Sequence, residues 1–349
     1  QLVAKLPSRS GLAMVAVTHP YMHWVLTMAL GRVGMASVSA YDANNAGTLA
    51  QIMPDAVFVD PQSAAADARF VKVTDDWIGR EADQLPPFVD PEHQADAPMR
   101  LILSSGTTGI PKKILLTHAL VQRRIEAQAR SPSLTGASTR SMVVVGFDTV
   151  GGYQLPLGTW FLGGRAVLLM PGEDPYRIIV RRGVTYAFMA PVQLEQIVRD
   201  MPAGAWPIPE LTVSVAGSAL SRQLSAKARA RLTPSLLQIY GSTEVGLVAR
   251  AHAGLADSTP GATGLVQPDV DLQIVDAAHN VLPHGEVGAV RCRSLDCISG
   301  YLDTPQYEND ETFRDGWFYP GDAGALTSGG VLSIVGRTTE LLNLGGVKL

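Results

Sequence analysis

The stretch LILSSGTTGIPKK, residues 101–113, joins a short apolar run to a loop dense in glycine, hydroxyl side chains and lysine. LILS (101–104) has the length and composition of a buried strand. In the loop, Ser104, Ser105, Thr107 and Thr108 bring four hydroxyls, and Lys112 adds a cation. Gly106 and Gly109 let the backbone turn tightly and approach a ligand closely. Such donors, gathered directly after a strand, suit phosphate oxygens. An ordinary Ser/Thr/Gly surface loop is the plainer alternative. A P-loop would need G-x-x-x-x-G-K-[ST], with a hydroxyl after the lysine to hold magnesium. Here Gly106 and Gly109 stand too close together, Pro111 precedes the lysine, and Lys113 takes the hydroxyl's place. That reading fails on spacing.

Upstream, residues 11–60 alternate strand and helix. LAMVAVTH (12–19), MASVSAY (35–41) and QIMPDAVFVD (51–60) read as strands, and YMHWVLTMALGRVG (21–34) as a core helix. This is the βαβ rhythm of a largely parallel sheet. Residues 81–98, rich in Pro, Asp and Glu, read as a surface connection. Downstream, a helix over 118–130 follows an N-cap at Thr117. SMVVVGF (141–147), RAVLLM (165–170), TYAFMA (185–190), TVSVAG (212–217) and LLQIYG (236–241) read as strands. Helices are expected at 192–200 and 221–232, the second capped by Ser221 and stopped before Pro234. From about residue 261 short alternating segments separated by Gly, Pro and Asn predict antiparallel strands of a small barrel or curved sheet.

The chain has 349 residues, 46% hydrophobic and 17% charged, enough for two or three subdomains. A net charge of −4 marks neither a nucleic-acid partner nor a polybasic membrane surface. The pairs Arg123-Arg124 and Arg181-Arg182 read as solvated helix faces. Cys292 and Cys297 lack the four-ligand spacing of a zinc site, and the seven histidines form no H-E-x-x-H pattern, so no protein-held transition metal is expected. So few cysteines fit a reduced, cytoplasmic protein. No apolar run reaches the ~18 residues that span a bilayer, and no signal peptide opens the chain.

Further motifs extend the phosphate-loop reading. Tyr240-Gly241-Ser242-Thr243-Glu244 follows a strand, Gly316-Trp317-Phe318-Tyr319-Pro320-Gly321-Asp322 holds an aspartate after aromatics, and Gly336-Arg337-Thr338-Thr339-Glu340 precedes Leu342-Asn343-Leu344-Gly345-Gly346. Taken singly, the first also fits a strand end with a buried Tyr and an exposed Glu, and the second a turn aspartate. With SSGTTGIPKK they resemble, in order, the motifs of the acyl-adenylate superfamily: acyl-CoA synthetases, firefly-type luciferases and the adenylation domains of peptide synthetases. Gly285-Glu286-Val287-Gly288 and Ser299-Gly300-Tyr301 are lesser matches between them.

The resemblance implies activation of a carboxylic acid by ATP to an acyl-AMP, with Mg²⁺ and release of pyrophosphate. The acyl group then passes to coenzyme A, or alternatively to the phosphopantetheine thiol of an acyl carrier protein. A nucleotide-binding relic without catalysis is the alternative of another class. It implies that Ser104 to Gly109 and Lys112 hold the β- and γ-phosphates, and Thr243 the α-phosphate. The Tyr240 ring would lie against the adenine with Gly241 and Ser242 in the same nucleotide-binding loop, Glu244 near the Mg²⁺, Asp322 on both ribose hydroxyls, and Arg337 on the ribose or phosphate. Gly217, Ser218 and Ala219 would run beside the adenine and acyl pocket, with Phe147, Asp148, Gly151, Gly217 and Gly246 lining the latter.

The expected fold is α/β: two stacked βαβ-type sheets with flanking helices, plus a small antiparallel β-barrel subdomain. The expected divisions are 1–100, 101–260 and 261–336, with 337–349 a hinge to a C-terminal small domain expected to be absent. Three departures from the family pattern stand out. Thr339 occupies a hinge position that is usually charged, Phe147-Asp148 replaces an aromatic–histidine signature, and the chain ends at Leu349, before the family's catalytic lysine. Phe-Asp also occurs in amino-acid-activating domains, whereas Gly151-Gly152 resembles the acyl-CoA branch.

Overall fold

The computed structural model describes residues 11–40, 42–43, 45–64, 68–74, 77, 95–104, 111–131, 133–259, 261–339, 343–344 and 347–348. The connection expected at 81–98 falls mostly outside them.

The first sheet is built from β1 (Leu12–Ala16), β2 (Ala36–Ser39), β3 (Ala56–Val59), β4 (Phe70–Lys72), β5 (Pro98–Ser104) and β6 (Lys112–Thr117), ordered β4-β3-β1-β2-β5-β6. All its pairings are parallel except β5 with β6. Both faces are covered, as parallel strands require. Ala13 and Val15 pack toward Leu26 and Leu30 of α1 (Pro20–Arg32), and Met14 and Val57 toward Leu49 and Ile52 on the opposite face. The segment expected as one strand over 51–60 divides. Gln51 and Ile52 end α2 (Ala46–Ile52), Met53 closes that helix in the left-handed region at φ 50°, and Pro54 bars its continuation.

The second sheet starts as α/β and finishes antiparallel. α3 (His118–Ala129), β7 (Arg140–Val143), α4 (Val150–Phe161), β8 (Arg165–Val167), α5 (Pro175–Arg182), β9 (Tyr186–Met189), α6 (Pro191–Asp200), β10 (Thr212–Val215), α7 (Arg222–Arg231) and β11 (Ser235–Ser242) follow in turn. β8, β7, β9, β10 and β11 are neighbours and run parallel. β12 (Gly246–His252) turns back antiparallel on β11. From its edge β13 (Gly264–Val266), β14 (Asp271–Val275), β15 (Gly288–Arg293), β16 (Phe313–Arg314), β17 (Trp317–Phe318), β18 (Asp322–Leu326) and β19 (Val331–Arg337) extend the same sheet. The strands expected as a small barrel or curved sheet are antiparallel and run on continuously from the second sheet. Likewise β5 and β6, placed by the sequence with the second α/β unit, close the first sheet.

α3 packs on β5 and β6, α4 packs on β7 and β8, and the two helices pack on each other, so they bridge the sheets. The core between is aromatic and aliphatic, with Trp24, Ile114, Leu120, Tyr153 and Leu157 in one cluster. Among the helices that lie where none was expected are α4 and α5. α4 is apolar nearly all round and carries Pro156, so it shows no amphipathic period; such a helix is a buried one. α5 carries ordinary signals, an Asp174 cap, Pro175 in the first turn and Gly183 at φ 59° after the last. The caps read from the sequence are in place, with Thr117 Oγ1 accepting from Leu120 N and Ser221 Oγ from Leu224 N.

Candidate active site

The hairpin register pairs Ser104 with Lys112 across β5 and β6, so the phosphate-loop stretch forms the connection between these strands. Ser105, Gly106, Thr107, Thr108 and Gly109 themselves lie outside the described residues. Lys112 begins β6 with its Nζ 4.4 Å from the centre of the Tyr301 ring. The Tyr301 hydroxyl donates to Glu244 Oε1 at 2.9 Å.

Glu244 sits in the tight turn between β11 and β12, where Ser242 pairs with Gly246. This turn explains two glycines without any ligand. A Cβ on Gly241 would stand 2.1 Å from the Gly246 carbonyl oxygen, and Gly246 has φ +80°. Glu244 is buried, and its carbonyl accepts from Arg124 at 3.0 Å and from Ile298 N at 2.8 Å. Arg124, expected on a solvated face, is 5% exposed and also donates to the Asp296 carbonyl at 2.6 Å. Only its neighbour Arg123 faces solvent. The sequence hides this because one helical residue step turns a side chain by ~100°.

Tyr240, Asp322 and Arg337 meet. Asp322 opens β18 and Arg337 ends β19, and the antiparallel register sets them opposite each other. Arg337 donates to Asp322 Oδ1 at 2.9 Å and to the Pro320 carbonyl at 2.6 Å, while the Tyr240 hydroxyl donates to Asp322 Oδ2 at 2.6 Å. Burial first, and then the Asp322 carboxylate, raise the Tyr240 phenol well above its ordinary range, so it remains a donor. Ser242 Oγ is buried between the two clusters in sequence and has no hydrogen-bond partner. Gly217 has φ +95° with open space where a Cβ would point, and Ser218 and Ala219 are exposed beside it. An orphaned hydroxyl, an open glycine turn and a paired carboxylate suit a nucleotide with hydroxyl and phosphate groups.

Magnesium also fits. Among the described residues Glu244 Oε2 has no hydrogen-bond partner, and no group of three metal-binding side chains forms. One carboxylate beside phosphates is how Mg²⁺ is commonly held, because it retains most of its waters.

Phe147 and Asp148 lie between β7 and α4. Phe147 stacks on His23 at 4.5 Å and helps line a cavity of about 280 Å³ with Thr18, Trp24, Val145, Gly152 and Met170. Asp148, Gly151, Gly217 and Gly246 are not in its wall. Gly151 meets Phe188 instead, with its Cβ position 2.4 Å from that ring. The five residues expected as one acyl pocket therefore do not line this cavity together.

Behind Phe147 lies a buried polar chain that sequence reasoning missed. Arg100, 1% exposed, donates to the Phe147 carbonyl at 2.7 Å, to Ser39 Oγ at 2.5 Å and to Ser37 Oγ at 3.1 Å. Its guanidinium lies 4.7 Å from the Tyr153 ring centre. Burial lowers Arg100 to about 10 and raises the Tyr153 phenol to about 12. His23 Nε2 lies 2.6 Å from Ser39 Oγ, and Nδ1 3.1 Å from the Val17 carbonyl, which fixes Nδ1 as the protonated nitrogen. The visible signals were a cation inside PMRLILS and an imidazole inside an apolar helix.

Burial, with a smaller contribution from Arg100, pushes the His23 imidazole down to about 4 from 6.5. Its neutral form thus supports the fold fully above pH ~6.5. That support is lost as pH falls toward 4, because the unfolded chain then takes up a proton the folded one refuses. Between pH 7 and pH 5 it should cost about 2 kcal/mol of stability. His23→Gln should flatten this part of the urea-denaturation profile; an unaltered slope would clear His23 of the role.

A family model for the AMP-binding enzyme matches residues 13–302. The chain belongs to the AMP-binding enzyme family. It is 30% identical over 263 residues to a salicylyl-CoA synthase / salicylate adenylyltransferase from Streptomyces sp, covering 71% of this chain and 46% of that protein. It is 28% identical over 325 residues to an indoleacetate–CoA ligase from Aromatoleum aromaticum, covering 86% and 62%. The chain thus spans roughly half to three-fifths of these curated relatives' length. Its fold matches the o-succinylbenzoate coenzyme A synthetase of Bacillus subtilis in complex with ATP and magnesium ion, with a TM-score of 0.83 at 18% identity. That match covers 97% of this chain and 72% of the other.

Proposed function

We propose that the chain supplies the nucleotide- and acid-binding part of an AMP-forming ligase. In this reading ATP activates a carboxylic acid to an acyl-AMP, pyrophosphate leaves, and coenzyme A accepts the acyl group. The observation that carries it is the convergence of Tyr240, Asp322 and Arg337 from three strands, beside the turn that holds Glu244. Family membership supports the chemistry, and the names of the two relatives, which refer to salicylate and indoleacetate, favour an aromatic acid.

The acid arrives as a carboxylate at neutral pH, so no general base is needed. The barrier is repulsion between anions together with charge developing on the phosphoryl oxygens, and positioning and electrostatics must lower it. Lys112 and the hydroxyls of 104–108 would hold the β- and γ-phosphates, and Thr243 the α-phosphate. Asp322 would accept from both ribose hydroxyls, with Arg337 beside it, and the Tyr240 ring would face the base. Glu244 would hold Mg²⁺, which when bound neutralises phosphate charge. Phe147 would present an apolar wall to the acid.

ATP–pyrophosphate exchange on the purified full-length protein, run with a panel of aromatic acids, tests this. Acid-dependent exchange is expected, and coenzyme A should turn the bound acyl-AMP over to a thioester. ATP binding without exchange for any acid would mark a nucleotide-binding relic, and thioester formation only on a carrier-protein thiol would replace coenzyme A as acceptor. Lys112→Ala should weaken ATP more than AMP, because AMP lacks the β- and γ-phosphates.

A further inference from the structure

We infer that Tyr301 is a positioning residue of the nucleotide site, acting through Lys112 and Glu244 rather than on the ligand; this rests on the reading just given. One side chain touches both groups. Its ring faces Lys112 Nζ at 4.4 Å, and its hydroxyl donates to Glu244 Oε1 at 2.9 Å. The two residues belong to different sheets, Lys112 to the edge strand of the first and Glu244 to a turn of the second. Tyr301 spans that gap.

The tyrosine is itself held from several directions. Its backbone N–H donates to Asn309 Oδ1 at 2.8 Å, and Asn309 Nδ2 returns a bond to its carbonyl at 3.2 Å. Phe313 meets the ring edge-on at 5.2 Å. On the two flanks, Ile298 N donates to the Glu244 carbonyl and Leu302 N to the Lys113 carbonyl at 2.9 Å. Asp303, at φ 54°, pairs with Lys113 Nζ at 2.6 Å. A ring fixed this firmly fixes what it touches.

The consequences for the ligands are distinct. Facing a carboxylate oxygen, which accepts, the Tyr301 hydroxyl serves as the donor. By engaging Oε1 it sets the carboxylate's rotation and leaves Oε2 for a hard cation. The ring face attracts the ammonium of Lys112 through its quadrupole and holds that stem in one place before any phosphate arrives. Hydroxyl and ring therefore serve different ligands, Mg²⁺ and the terminal phosphates.

Two variants separate these contributions. Tyr301→Phe keeps the ring and removes the hydroxyl; Tyr301→Leu removes both. ATP and AMP affinities are measured by calorimetry on the purified protein over a series of Mg²⁺ concentrations, with thermal unfolding checked alongside. Tyr301→Phe should raise the Mg²⁺ concentration that gives half the full gain in ATP affinity by about fivefold or more. Its ATP affinity without Mg²⁺ should match the wild type. Tyr301→Leu should add a loss for ATP that exceeds its loss for AMP. An unchanged Mg²⁺ dependence in Tyr301→Phe, or equal losses with and without Mg²⁺, would overturn the inference while leaving the nucleotide reading standing. Failure of the wild type to bind ATP would overturn that reading, and the inference with it.

Discussion

Arg100→Ala should remove about 3–5 kcal/mol of stability, measured by urea unfolding, although the residue touches no proposed ligand. Two losses add. The arginine stem fills space that nothing else reaches, being 1% exposed, and alanine leaves a void there. The Phe147 carbonyl also loses its 2.7 Å donor in a partly buried place, which adds up to about 1 kcal/mol. Arg100→Met is the informative partner because it keeps the volume and removes the charge. Burying a guanidinium is expensive, as its lowered basicity records, so its removal recovers part of the loss. Met should therefore cost clearly less than Ala. Equal destabilisation by both would mean that the charge, not the filled space, secures this region.

The second large effect is expected at Asp322. Asp322→Ala should weaken ATP at least about tenfold, since charge-assisted bonds to two ribose hydroxyls contribute about 1.5–3 kcal/mol each before water replaces them. The fold should lose some stability as well, mainly because the Tyr240 hydroxyl is left without its 2.6 Å acceptor, at about 1–3 kcal/mol. Arg337 is 44% exposed and Asp322 16%, and an ion pair so close to solvent contributes at most about 1 kcal/mol. Calorimetric titration with ATP, set beside thermal unfolding, separates the two. A full-strength nucleotide response in the alanine variant would remove Asp322 from the site.

What the sequence made legible follows from how local each signal is. Strand runs such as LAMVA and TVSV, and caps such as Thr117 and Ser221, depend on neighbours within a few residues and were readable. So was the βα-rich first part with an antiparallel second. The assignment of β5 and β6 to the first sheet depends on pairing partners far along the chain; Ser37 opposite Arg100 is one. No local pattern carries that. The same holds for Arg124, whose partners Glu244 and Asp296 lie 120 and 172 residues away. Asp322 and Arg337 were readable as motif members, but their register pairing and the third contact from Tyr240 were not. The cavity beside Phe147 is likewise made by helix and strand faces that meet only in three dimensions.

The bridge between Leu302 and Lys113 has a consequence for synthesis. β6 ends the first sheet, so its outer edge is open hydrogen-bonding backbone until the segment near Leu302 reaches it. The Lys113–Asp303 contact spans 190 residues of chain. At ribosomal speeds of about 5–20 residues per second, that edge waits roughly 10–40 seconds for its cover. During this interval the nascent polypeptide presents the outer edge of β6, paired with β5 on its other side only, to any other growing chain in reach. Holding that strand until translation has passed Asp303 is work suited to a chaperone.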